Sequence, residues 1–400
     1  MNIKQYLVIT GNYWAFTLTD GALRMLVVLY FHQLGYAPLE IAALFLFYEV
    51  FGVITNLVGG YLGARIGLNR TMQLGLALQV LALLALTVPV EYLTVIWVMA
   101  AQALSGIAKD LNKMSAKSAI KLLVPNDAQS TLYKWVAILT GSKNALKGVG
   151  FFLGGVLLTW IGFAGAMWVM LTALALVFVL SMILLTSELG VAKAKPKFKA
   201  LFSKSAPINV LAAARLFLFG ARDVWFVIAL PIFLSAQFDW DHWRVGAFLA
   251  IWVIFYGFIQ AIAPRITGTH TRTSIWAALL AVVPAVIALG LTVDLSWLSP
   301  QWVIIAGLLL FALLFAINSS LHSYLIIRHA RADGVSLDVG FYYMANALGR
   351  LVGTVLSGVV FQYAGLVACL WVSFAFLIAS TVVVSFMPGP EKRHEIAEGH

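Results

Sequence analysis

Residues 155–168 read Gly155-Val-Leu-Leu-Thr-Trp160-Ile-Gly162-Phe-Ala-Gly-Ala-Met-Trp168, and 203 positions later Gly358, Tyr363, Gly365 and Trp371 stand where Gly155, Trp160, Gly162 and Trp168 stood. Each stretch lies inside an apolar run long enough for two membrane helices, with a glycine marking the turn between them. The echo extends outward. The same offset carries Asp20 onto Asp223 and Phe16 onto Phe219, and Asn144-Ala145-Leu146 recurs as Asn346-Ala347-Leu348. Two alike halves in one orientation predict an all-α membrane protein made of two six-helix bundles. A pseudo-two-fold axis along the membrane normal relates them, and the binding site lies between them near mid-membrane.

Composition agrees. Hydrophobic residues make up 62% of the 400, charged residues only 10%, and the mean hydropathy is +0.95. A soluble chain of this size cannot hide that much apolar surface. Twelve spans are predicted at 6–31, 38–62, 70–89, 92–112, 131–160, 163–186, 207–236, 242–263, 273–293, 301–327, 337–363 and 366–387, with turns at Gly35, Pro38, Pro89, Gly162, Pro300 and Gly365. The domains follow: an N-terminal six-helix bundle at 1–186, a basic linker at 187–206, a C-terminal bundle at 207–388 and a tail at 389–400. The one cysteine, Cys369, excludes an internal disulfide, and a lone thiol cannot build a metal site. No cleavable signal is expected, since the first apolar run is itself long enough to span.

The net charge of +10 sits mostly in short loops on one face. That is a topology pattern rather than a nucleic-acid stripe. Lys4, Arg65, Arg70, Lys113, Lys117, Lys121, Lys134, Arg265, Arg272, Arg328, Arg331, Lys392 and Arg393 fall on that face. So do linker residues Lys193, Lys195, Lys197, Lys199 and Lys204, whose plain reading is topology and attraction to anionic lipid. The opposite face carries essentially Arg244 alone. Both termini are therefore expected in the cytoplasm.

Six further cations lie inside the apolar stretches: Arg24, Lys143, Lys147, Arg215, Arg222 and Arg350. Three acids share that depth: Asp20, Glu49 and Asp223. A cation facing lipid at mid-helix costs roughly 2.5–3.5 kcal/mol, so these must face partners or a wet cavity. The surplus of positive charge points to an anionic cargo.

Asp20 and Arg24 are four apart and can pair on one helical face, or can present a cation and a protonatable carboxylate. Arg222 and Asp223 diverge by about 100° on a helix, so Arg222 is expected to need another partner. Arg215 is nearer the basic face and can snorkel outward. Lys143 and Lys147 share a face and repel unless something negative lies between them, either an acid or a ligand. Asn144 accompanies them, and the second half offers Asn346 and Arg350. Arg grips an oxyanion bidentately, whereas Lys acts as a point charge. Glu49 reads as a counter-ion to one of these cations or as a proton carrier. Asn318, Ser319, Ser320 and His322 can hydrogen-bond an oxyanion, or can simply hold helices together. Lys109 and Asp110 are expected at interfacial water.

The loop Gly60-Tyr-Leu-Gly-Ala64-Arg65-Ile-Gly67-Leu-Asn69-Arg70 is similar to the gating-loop signature of the major facilitator superfamily, with Ala64 at the position of its Asp. Only Arg265 survives in the second half. Gly141, Gly150 and Gly154 read mainly as close helix packing. No GxSxG, HExxH, Walker or CxxC motif is present, so neither catalytic residues, metal ligands nor a cofactor are expected, and an ATP-binding cassette is excluded on this chain.

Three longer strings add a finer resemblance: Tyr13-Trp-Ala-Phe-Thr-Leu-Thr-Asp-Gly-Ala-Leu-Arg-Met25, Leu104-Ser-Gly-Ile-Ala-Lys-Asp110 and Gly141-Ser-Lys-Asn-Ala-Leu-Lys-Gly-Val-Gly150. They resemble the ArsJ organoarsenical exporters of that superfamily along nearly the whole length. The resemblance implies efflux of 1-arseno-3-phosphoglycerate across the bacterial inner membrane. It also implies a functional link to the glyceraldehyde-3-phosphate dehydrogenase that makes this compound from arsenate. Lys143, Lys147 and Arg350 are then expected at one oxyanion and Arg24 and Arg222 at the other, with Asp20, Glu49 and Asp223 as proton-coupling candidates. The residues alone support a carrier of a small organic anion, and an organophosphate or phosphoglycerate antiporter would use the same cations.

Overall fold

A computed structural model describes residues 3–36, 44–124, 129–185, 189–192, 205–226, 228–240, 242–268, 272–293 and 299–387. α1 spans Ile3–Gln33, α2 Leu46–Ile66, α3 Leu68–Ala85 and α4 Val95–Leu123. The helix Gln129–Leu184 breaks at Gly162 into α5 and α6. α7 covers Ala206–Phe226 and α8 Ala229–Phe238; α9 covers His242–Thr267, α10 Thr273–Thr292 and α11 Pro300–His329. The helix Val335–Ser385 breaks at Gly365 into α12 and α13.

The repeated glycines do what the repeat predicted. Gly162 (φ 70°) and Gly365 (φ 73°) both adopt a left-handed backbone that only glycine takes without strain, so each ends one span and starts the next. Trp160 and Tyr363, 203 residues apart, are 79% and 82% exposed, as interfacial aromatics are.

One span differs from expectation. α4 runs on to Leu123, so Lys113, Lys117 and Lys121 are helical and not loop residues. The seventh span is described in two parts, α7 and α8, with residue 227 between them outside the described residues. The described part of the second span starts at Leu46; Pro38 lies outside the described residues, as do the linker lysines 193, 195, 197, 199 and 204 and the tail with Lys392 and Arg393.

The apolar core shows how the halves meet. One cluster unites Tyr6, Met114, Tyr133 and Leu139 of the first half with Leu218, Phe315, Tyr324 and Tyr342 of the second. A separate cluster, built from Leu23, Phe31, Leu76, Leu86 and Phe163, belongs to the first half alone. The halves touch at the end of the molecule that carries the loop bases, here called the basic end. There Tyr133 stacks on Tyr324 at 4.5 Å, and Lys121 donates to the Arg328 carbonyl at 3.1 Å. Glycine makes two close crossings between the halves. A Cβ on Gly60 would stand 2.5 Å from the Ser336 carbonyl oxygen, and one on Gly141 would collide with the Gly257 carbonyl. The halves are thus sealed at the basic end.

Candidate substrate site

α1 and α5 cross so tightly that a Cβ on Gly150 would lie 2.6 Å from the Leu18 carbonyl oxygen; α7 and α12 repeat this at Gly353 against Gly220. These crossings hold Asp20 and Arg24 beside Lys147 in one half, and Asp223 beside Arg350 in the other.

An alternating chain of charge runs across the interface. Arg24 Nη2 donates to Glu49 Oε1 at 3.1 Å, and Arg350 Nη2 donates to the same oxygen at 3.1 Å. Arg350 Nε reaches Asp223 Oδ2 at 3.1 Å, and Asp223 Oδ1 accepts from Arg222 at 2.5 Å. Glu49 therefore links the halves ionically. The side chains of Arg24, Glu49 and Arg350 keep 21–29% exposure, so these pairs face a wet space and not dry packing.

Several expectations are corrected here. Asp20 does not pair with Arg24; it accepts from Tyr48 Oη at 2.7 Å, and Arg24 reaches across to Glu49 while lying 4.1 Å from the Tyr48 ring centre. Arg222 does bond its neighbour Asp223, because a guanidinium on a long flexible stem can curl back over a divergence that separates only the Cβ directions. Arg215 does not snorkel. It is 3% exposed and donates to Asn346 Oδ1 at 2.9 Å and to the Ser319 carbonyl at 3.2 Å, so Asn346 is occupied by an arginine. Lys109 and Asp110 do not reach interfacial water: Asp110 is buried beside Lys113, and the Lys109 ammonium stands 3.7 Å from the Tyr48 ring centre.

Polar groups on α11 mostly hold helices together. Asn318 donates to the Trp276 carbonyl, Ser320 to the Gln260 carbonyl, and Ser319 accepts from Tyr256 and Gln260. Asn144 donates to Gln260 Oε1 at 2.7 Å and so ties α5 to α9. His322 is different: it is 1% exposed and neither ring nitrogen has a partner.

Lys143 and Lys147 are half-buried on α5, and among the described residues neither forms an ion pair. The Phe151 ring lies 5.8 Å from the Lys147 ammonium, and Asp20 attracts it from beyond ion-pair distance. Two cations that share a helix face thus stand without a contact ion pair among the described residues, next to a chain of arginines whose acids are already shared.

The gating loop departs from its signature in a way the structure explains. Where an Asp would stand, Ala64 is buried, and its carbonyl accepts from Ala192 N at 2.8 Å; Leu68 N donates to the Leu189 carbonyl at 2.7 Å. A backbone strap from residues 189–192 replaces the side-chain latch. Gly67 (φ 97°) makes the turn, Arg65 donates to Tyr61 Oη at 2.5 Å, and Arg65, Arg70 and Arg265 are exposed.

The sequence profile of the Major Facilitator Superfamily matches residues 9–337. No curated protein matches the sequence. Among solved structures, the human organic anion transporter MFSD10 (TETRAN) superposes with a TM-score of 0.75 at 16% identity, covering 96% of this chain and 100% of that one. A bacterial homologue of the iron transporter ferroportin, in its outward-facing state, gives 0.75 at 14% identity over 96% and 99% of the two chains. The proton:xylose symporter XylE bound to 6-bromo-6-deoxy-D-glucose gives 0.76 at 12% identity over 97% of each.

Proposed function

We propose, from the premise that the chain belongs to the major facilitator superfamily, that it exports a small, multiply charged oxyanion, and that this cargo is 1-arseno-3-phosphoglycerate. The chain is an integral membrane protein and a secondary transporter, not an enzyme. The finer reading rests on one observation above others: Lys143 and Lys147 stand at mid-span without an ion-pair partner among the described residues. A ligand oxyanion is the partner that would offset their repulsion. One structural neighbour carries organic anions; that likeness brings only the fold, and the charges carry the argument.

The cargo has an oxyanion at each end and a hydroxyl between them. The lysine pair takes one end. The other end competes with Glu49 for Arg24 and Arg350, and in doing so loosens the ionic link between halves. Binding and the rocking of the halves are thereby coupled through one carboxylate. Arg222 stays with Asp223 and supports Arg350 from behind. Asp20 is the best-placed proton carrier of the three acids, because its hydrogen-bond partner among the described residues is a neutral phenol and protonation breaks no ion pair there. With the basic end, and both termini, in the cytoplasm of a bacterial inner membrane, the observed conformation is closed inwardly.

Everted vesicles test this. Arsenate with glyceraldehyde-3-phosphate dehydrogenase, its substrate and NAD should drive arsenic into vesicles holding the protein, and omitting the dehydrogenase should stop it. Equal uptake of ordinary 3-phosphoglycerate would assign an organophosphate antiporter instead. Uptake of neither would overturn the anion reading.

A further inference from the structure

Lys117 lies six residues before the end of α4, yet it is only 3% exposed. Its ammonium donates to Tyr343 Oη at 2.5 Å. Lys113 stands as close to the Tyr343 ring centre as Lys117 does, 4.8 Å, but Lys113 has Asp110. Lys117 has no carboxylate among the described residues. From the other half comes Arg215, also 3% exposed, 5.3 Å from the ring centre of Tyr342. Its described hydrogen bonds go only to neutral oxygens, on Asn346 and Ser319. Two buried cations, one from each half, thus flank the adjacent pair Tyr342–Tyr343 with no acid between them.

Topology does not ask for this. A lysine marks the cytoplasmic side equally well from the headgroup region, where its charge stays hydrated. Burial without a counter-ion is far more costly. Nearby polar groups are also idle: both ring nitrogens of His322, one turn along α11 from the Ser319 carbonyl that Arg215 grips, and Tyr342 Oη on α12 are buried without hydrogen-bond partners among the described residues. A tetrahedral oxyanion offsets both charges and accepts from such donors.

We propose that Lys117, Arg215, Tyr342 and Tyr343, with His322, form a second oxyanion site. Tyr343 precedes Arg350 by seven residues on α12, so the site lies about 10 Å nearer the basic end than the central cations. It is closed here because the halves meet around it; when the basic end parts, it is the first cationic station an arriving anion meets. Only the direction of travel rests on the export reading. The binding claim concerns a phosphate-like oxyanion from either source, the cargo's own phosphoryl group or free phosphate.

The full chain in lipid nanodiscs, probed by thermal shift and calorimetry with inorganic phosphate and with 3-phosphoglycerate, tests the site. In Lys147→Ala, 3-phosphoglycerate should still raise the melting temperature. In Lys117→Met that residual response should vanish, and in the otherwise wild-type chain 3-phosphoglycerate affinity should fall at least about tenfold. Without ligand, Lys117→Met should melt no lower than wild type, because it removes an uncompensated cation. Lys117→Arg should keep most of the response. Tyr343→Phe, which deletes one hydroxyl, should weaken it several-fold. A response to inorganic phosphate identifies free phosphate as an occupant; a response to 3-phosphoglycerate alone assigns the site to the cargo. Unchanged binding in Lys117→Met, or a ligand-free protein that melts lower, would reduce Lys117 to a structural clamp and overturn the proposal. If Lys147→Ala alone abolishes binding, this site fails and the central reading stands; if only Lys117→Met abolishes it, the central reading fails and this site stands.

Discussion

Lys147 and Arg350 occupy matching places 203 residues apart, on helices that cross the first helix of their half in the same way, yet they live in opposite states. Arg350 is shared between Asp223 and Glu49; Lys147 forms no ion pair among the described residues, and Asp20 attracts it only from beyond contact. The difference starts on the second helix of each half. Tyr48 of α2 occupies Asp20 with its hydroxyl, and Glu49 beside it reaches into the interface. The offset of 200 that aligns Arg65 with Arg265 puts Phe248 and Leu249 at those places on α9. Phenylalanine offers no hydroxyl, so Asp223 remains free for the arginines. One duplicated frame therefore yields a neutralised cation on α12 and a cation without an ion pair on α5, and the latter is where an anion gains most.

The sharpest break of this comparison is truncation of the two matching cations. Arg350→Ala strands Glu49 and Asp223, so the fold should lose stability toward the lower end of the roughly 3–5 kcal/mol seen when one partner of a buried pair is removed, given the partial exposure here. Lys147→Ala strands nothing and should melt no lower than wild type. It should still lose transport by at least about 30-fold, the equivalent of about 2 kcal/mol or more of lost anion contact. Melting curves and vesicle uptake on the two variants decide it. Equal loss of stability in both would mean that the halves are not differently charged.

Glu49→Gln probes the link rather than the ends. It removes the competitor that an incoming oxyanion must displace from Arg24 and Arg350. Ligand affinity should rise several-fold while turnover falls, because the carboxylate that ties the halves together is gone. Calorimetry against uptake rate separates the two effects. Weaker binding in this variant would show that Glu49 positions the cargo instead of competing with it.

Much of this was legible in the sequence. The offset of 203 located Gly162 and Gly365, because a left-handed turn between two spans leaves few choices but glycine. The repulsion of Lys143 and Lys147 was readable from their spacing alone. What failed was any inference that needed a third dimension. Spacing on α1 could pair Asp20 with Arg24, but it could not show Tyr48 and Glu49 arriving from another helix. The divergence of Arg222 and Asp223 described Cβ directions and ignored the reach of a guanidinium. Lys117 read as a loop residue because charge density on α4 looks like a helix end; its burial depends on Tyr343, more than two hundred positions away in the chain.

Tyr48→Phe gives the smallest effect and the finest cut. It removes one hydroxyl and leaves the ring that stacks beneath Arg24 and Lys109. Asp20 then lacks its donor. Lys147 crosses close by at Gly21, whose Cβ would stand 2.8 Å from the Lys147 carbonyl oxygen, so the freed carboxylate can turn toward the ammonium. The first half would come to resemble the second, with its cation neutralised. A hydrogen bond of this kind contributes about 0.5–1.5 kcal/mol, so anion affinity should fall by about two- to tenfold. Asp20→Asn added to Tyr48→Phe should restore it, since an amide cannot neutralise the lysine. Full affinity in Tyr48→Phe alone would mean that the phenol does not keep the two halves electrostatically unequal, and the cause of their difference would then lie in the shorter lysine itself.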